Sequence, residues 1–150
     1  MALISVAFAL AGGLYASVRR VYLSAEVNTA QKADISRFKQ VFSAAFYSYD
    51  SEDFTYSVSE NDFVIKHNSE GEPEAYLFGC SASESGLSAE IASNYGTDGI
   101  ILTSTLERTE LFKSLTGAEF SEQGGLFTVK LSYGDGKSFT FALARRTQGD

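Results

Sequence analysis

From Ala2 to Val18 the chain reads ALISVAFALAGGLYASV, without one charged residue, and Arg19-Arg20 closes the run. A membrane-crossing helix needs ~20 mainly apolar residues, with a workable range of about 17–25. The run reaches that range once Val21, Tyr22 and Leu23, beyond the arginine pair, are counted. Arg19 and Arg20 are then expected at the membrane interface, where long cationic side chains snorkel to the headgroups. Ala9, Gly12, Gly13 and Ala16 would give the helix a small face that allows close helix–helix packing in lipid. In water each helical glycine costs about 1 kcal/mol relative to alanine. Residues 1–23 are therefore expected to form a membrane-spanning or filament-core helix segment.

Three other uses of such a run compete with this one. A cleaved secretory signal has a basic start and a small-residue cleavage site; no Lys or Arg precedes this run, and Tyr15-Ala16-Ser17-Val18-Arg19 is a poor match to that site. A core helix apolar on every face needs a larger core than 150 residues offer. An anchor for a cytoplasmic domain fits the arginine pair, because positive charge favours the cytoplasmic side. That rule opposes the extracytoplasmic placement of the C-terminal domain adopted below.

The helical period continues beyond the arginines. Val27, Ala30, Phe38, Val41, Phe42, Ala45 and Tyr49 recur at spacings of three or four, and no Gly or Pro interrupts residues 14–49. One helix is expected from about residue 2 to 49, wholly apolar at first and amphipathic from residue 24. Asp50-Ser51-Glu52-Asp53 ends it, as a solvated junction, and the period changes to two. Phe54, Tyr56 and Val58 alternate with Thr55, Ser57 and Ser59; Glu60-Asn61 turns the chain, and residues 63–67 return. A third strand is expected over 75–80. Residues 81–99 read as a long loop with a short element at 87–91, Ile100-Ile101-Leu102 as a buried strand, and 106–115 as ambiguous. Phe127, Val129, Leu131 and Tyr133, then Phe139, Phe141 and Leu143 after Gly134-Asp135-Gly136, read as an antiparallel pair with one face on the core.

The expected fold class is therefore α+β: a long N-terminal helix, apolar then amphipathic, packed on a C-terminal antiparallel sheet. The globular part would span 24–150, with the helix at 24–49 and the sheet at 54–145. Phe38, Phe42, Phe127, Val129, Phe139 and Phe141 are the expected helix–sheet core.

Chemistry is harder to find. A net charge of −7 and dispersed Lys and Arg leave no basic patch for phosphates, so no nucleic-acid partner is expected. His67 is the only histidine and Cys80 the only cysteine, and neither sits in a catalytic signature. Asp50–Asp53 lacks the spacing of a calcium loop. No zinc spacing, phosphate loop or dinucleotide fingerprint occurs, so neither cofactor, metal nor enzymatic activity is expected.

An apolar helix that turns amphipathic and leads into antiparallel strands resembles the type IV pilin-like proteins, most of all the minor pilins and pseudopilins of type II secretion and competence systems. The resemblance rests on residues 2–49, with Ala25, Ala30 and Ala33 after the run, and on the terminal pair GGLFTVKLSYGDGKSFTFALARR. It implies a structural subunit, processed at a basic leader, that waits in membrane lipid and then assembles with other pilin-like subunits through its helix. It also implies a single-pass membrane location with the C-terminal domain extracytoplasmic. Most members carry a glutamate early in the helix, where Ser5 and Val6 stand here; some minor members lack it. The competing expectation is a membrane-anchored acidic β-rich binding module with no filament role, and behind it an anchored enzyme.

Overall fold

In the computed structural model of the chain, the described residues are 2–67, 75–93, 106–134 and 136–146, with backbone alone at 2–18, 20–22, 24, 25, 106 and 107. One helix, α1, runs over Ala2–Ser48. Eight strands follow: β1 (Phe54–Val58), β2 (Asp62–His67), β3 (Ala75–Ser83), β4 (Gly86–Ser93), β5 (Leu106–Phe112), β6 (Leu115–Gln123), β7 (Leu126–Tyr133) and β8 (Lys137–Ala144). They form two antiparallel meanders, β1-β2-β3-β4-β5 and β6-β7-β8. Two compact units divide the chain inside the helix, Met1–Ala33 and Asp34–Asp150.

The expected fold class is thereby corrected. Among the described residues the fold is mostly β, with one helix and two sheets, not an α+β fold with one sheet behind a helix. The error lay in residues 81–93 and 113–123. Residues 81–93, read as loop with a short element at 87–91, complete β3 and form all of β4. Their side chains are small, so Ala89 and Ala92 are buried without raising the hydropathy signal. Residues 115–123 form β6, whose apolar residues escape the period of two. A register shift between Leu115 and Gly117 puts Leu115, Ala118 and Phe120 inward at spacings of three and then two. Gly124 and Gly125, both at positive φ (60° and 79°), make the two-residue β6–β7 turn that such hairpins favour. The expected strand at 100–102 and the expected loop at 68–73 lie outside the described residues.

The helix stripe Phe38, Phe42 and Phe46 (0% exposed) organises the core of the second unit. Phe42 has its ring centroid 5.1 Å from Phe63 and from Phe78 in the first sheet, and 5.3 Å from Phe120 and 6.2 Å from Phe141 in the second. The helix end is thus held by both sheets. The sheets also meet directly, with Phe63 and Phe127 rings 5.8 Å apart and the Phe120 amide donating to the Glu60 carbonyl at 3.1 Å. Asp34 accepts the Ser114 amide at 2.8 Å, tying the helix to the β5–β6 turn. Arg37 pairs with Glu110 on β5.

Gly86 opens β4 at φ 124°, and a Cβ there would stand 2.6 Å from the Phe112 carbonyl oxygen and 2.7 Å from the Lys113 Cα. Both backbone strain and a clash with backbone oppose any side chain. Gly86→Ala is expected to cost at least about 2 kcal/mol, read as a lower denaturant midpoint. Gly124→Ala, at φ 60° with open space around it, should cost only about 1 kcal/mol. Equal costs at the two positions would show that the close approach at Gly86 is not real.

Candidate functional site

The residues singled out from sequence fall into three groups. Ala9, Gly12, Gly13, Ala16 and Arg20 lie on α1, but their side chains are outside the described residues; Arg19 is exposed. Phe38, Phe42, Phe127, Val129 and Phe141 are brought together in the core. Phe139 departs from that expectation, since it is 36% exposed. It shares the inward face of β8 with Phe141 and Leu143, but only the second half of the strand is covered.

Away from the core, the two sheets part to leave a cleft of about 420 Å³. Cys80, Ala82, Leu87 and Ala118 line it, with Glu60, Asn61 and Glu119 also contributing. The local sequence explains the gap: where β3 and β6 face each other beyond Phe78 and Phe120, the inward residues shrink to Cys80, Ala82 and Ala118. The Asn61 carbonyl accepts the Cys80 amide at 3.0 Å, so the β1–β2 turn is fixed as one wall. Asp62 lies alongside, and its Oδ1 would stand 3.1 Å from a Cβ on Gly79. Glu119 pairs with Lys130 at 3.0 Å across the β6–β7 hairpin. The cleft therefore combines a mixed floor of small polar and apolar groups with a net negative rim.

The thiol of Cys80 is held in its protonated form in this setting. Burial, and then the Asp62 carboxylate, push its pKa well above the ordinary range. No thiol dyad with His67 is possible. Ladder pairing sets Asp62 opposite Gly79 and Lys66 opposite Ala75, so His67 and Cys80 stand at opposite ends of the β2–β3 ladder. His67 instead packs edge-on to Phe54, with ring centroids 4.9 Å apart.

A second cluster closes the far end of the unit. The Asp50 side chain (4% exposed) accepts from Arg145 Nε at 3.3 Å and from the Arg146 amide at 2.7 Å. Arg145 also donates to the Ser51 carbonyl, and its guanidinium lies 4.5 Å over the Tyr56 ring. The Tyr56 hydroxyl donates to the Phe46 carbonyl at 2.5 Å. Asp50 is therefore a fastening between the helix end and β8, where a solvated junction was expected. Among the described residues no group of three or more His, Cys, Asp and Glu side chains is placed to hold a metal ion.

Burial chiefly, with Asp50 adding to it, also raises the Tyr56 pKa. Both raised groups carry the same sign. Below about pH 8.5 the thiol is protonated folded and unfolded, and above it only the unfolded chain releases the proton. Stability is thus expected to fall with rising pH, by up to about 1.4 kcal/mol per pH unit from Cys80, and further above about pH 10 through Tyr56. The half-buried phenol should contribute a shallower slope, being screened by water. Denaturant midpoints from pH 7 to 11 check this; Cys80→Ala should abolish the lower part of the decline. A flat profile would contradict it.

Comparison with family models, with curated proteins and with solved structures gives no match. Among the described residues no helix is long and apolar enough to cross a membrane.

Proposed function

We propose that this protein is a structural subunit of a type IV pilus-like filament or of a related secretion or competence apparatus, and not a catalyst. The observation that carries the proposal is the course of α1. It runs unbroken over Ala2–Ser48, and its stripe from Phe38 onwards is buried in the β-rich unit, while Met1–Ala33 form a unit apart. A β unit needs no helical extension of that length for its own core. An uncharged helical run ahead of it is suited to packing against other helices, where Ala9, Gly12, Gly13 and Ala16 permit close approach. Membrane lipid is the proposed environment before assembly, with the β unit extracytoplasmic. The second sheet does not alter this assignment, because the assignment rests on the helix.

Ala9→Glu tests it in cells that carry the protein's own assembly partners. A charge in the middle of the run costs about 3 kcal/mol in lipid and is equally unfavourable in a helical filament core. Sheared filaments and membrane-extracted protein are expected to lose the variant, while the β unit melts as in the parent. Normal incorporation of Ala9→Glu would refute the subunit role and favour a plain binding module.

A further inference from the structure

The cleft between the sheets and the bare stretch of α1 are complementary in two respects. Along the helix, Arg19, Leu23, Val27 and Ala30 share one face by their spacing, and all four are exposed, Leu23 by 50% and Val27 by 54%. Glu26 flanks them. The cleft offers the reverse: the small or buried apolar side chains of Ala82, Leu87 and Ala118 lie in its floor, and Glu60 and Glu119 stand at its rim, the latter paired with Lys130. Charge is also divided along the chain. Residues 2–48 hold Arg19, Arg20, Lys32, Arg37 and Lys39 against Glu26 and Asp34, whereas the rest holds seven Lys and Arg against seventeen Asp and Glu.

Resting on the subunit assignment above, we infer that the cleft is the docking site for the Arg19–Leu23–Val27 face of a second copy of this chain. Leu23 and Val27 lie against the cleft mouth, and the Arg19 guanidinium meets Glu60 and Glu119. A guanidinium carries its apolar stem over such a floor while its planar head engages carboxylates. The contact joins unlike surfaces, helix to cleft, so it does not close on itself as a two-fold dimer does. Repetition of such a heterologous contact builds an open chain of subunits.

Charge exchange on the full-length protein tests the contact, with self-association followed by sedimentation velocity. Glu60→Lys with Glu119→Lys is expected to weaken association about tenfold or more. Arg19→Glu alone should do the same, and the triple variant should recover most of the loss. The Glu-to-Lys pair moves the net charge towards zero, which by itself favours association, so weakening can only reflect the specific contact. Raising salt to about 1 M should weaken the parent as well. Both carboxylates are exposed, and unchanged melting of the variants verifies that the fold survives. The inference is overturned if the Glu-to-Lys pair associates like the parent, if the triple variant shows no recovery, or if the parent is monomeric throughout. An Ala9→Glu variant that fails to assemble beside a Glu-to-Lys pair that assembles normally would discard the cleft contact and keep the subunit role.

Discussion

Phe42→Ala is expected to destabilise the β unit by about 3–5 kcal/mol, a large part of the 5–15 kcal/mol that holds an ordinary domain together. The ring is fully buried, and its neighbours come from both sheets: Phe63 and Phe78 on one side, Phe120 and Phe141 on the other. Several of these are edge-to-face, a geometry worth about 0.5–1.5 kcal/mol beyond area alone, though such contributions do not sum. Truncation leaves a void that neither sheet can close alone, because β2–β3 pairing fixes Phe63 and Phe78 while β6 is fixed to its own hairpin. Thermal unfolding of the variant should fall by roughly 10–20 °C. Phe139→Ala, by contrast, removes a ring already 36% exposed and should cost about 1 kcal/mol or less. A small effect at Phe42 would show that the helix end does not join the two sheets, and the architecture would need revision.

That stripe was the most legible part of the sequence. Phe38, Phe42 and Phe46 stand four apart on an uninterrupted helical pattern, and four-residue spacing places side chains on one face whatever they pack against. The C-terminal pair was equally plain, since β7 and β8 bury one face and leave the other in water. What escaped detection did so for physical reasons. In β6 the bulge near Leu115 moves the inward residues out of step, so no window shows strict alternation. In β3 and β4 the inward row is interrupted by the small Cys80 and Ala89, and the outer face is partly buried too. Val64, Ala75 and Leu77 form a separate small cluster there, so alternation carries little contrast. The cleft had no sequence signal at all. It arises where Cys80, Ala82 and Ala118 face each other, and their opposition depends on how two sheets stack. The Asp50 fastening was hidden for the same reason, because its partners lie some ninety-five residues away.

Asp50→Ala is expected to cost about 3 kcal/mol, nearly as much as the core ring, although it deletes only one small carboxylate. Removing one member of a buried ion pair is costly because the other charge stays behind. Arg145, 21% exposed, would keep its guanidinium against Tyr56 with no counter-charge, and the Arg146 amide would lose its acceptor. Asp50→Asn keeps an acceptor for that amide while removing the charge, so its cost should be smaller, about 1–2 kcal/mol. The pair between Lys130 and Glu119 provides the contrast. Both side chains are about half exposed, and Glu119→Ala should change stability by about 0.5 kcal/mol or less. A second readout isolates the electrostatic part. Burial first, and then Asp50, hold the Tyr56 phenol in its protonated form, whereas Arg145 pulls the other way. With Asp50 gone, Tyr56 should ionise at lower pH, seen as earlier phenolate absorbance on alkaline titration. A stability loss with no change in that titration would mean that the carboxylate acts only through the Arg146 amide. The fastening decides more than local stability. It ties the end of β8, the last strand of the second meander, to the junction between α1 and β1, the first strand of the other. Loosening it frees the second sheet from the helix stripe that both sheets share, so Asp50→Ala and Phe42→Ala should be less than additive when combined, as expected of two lesions in one structure.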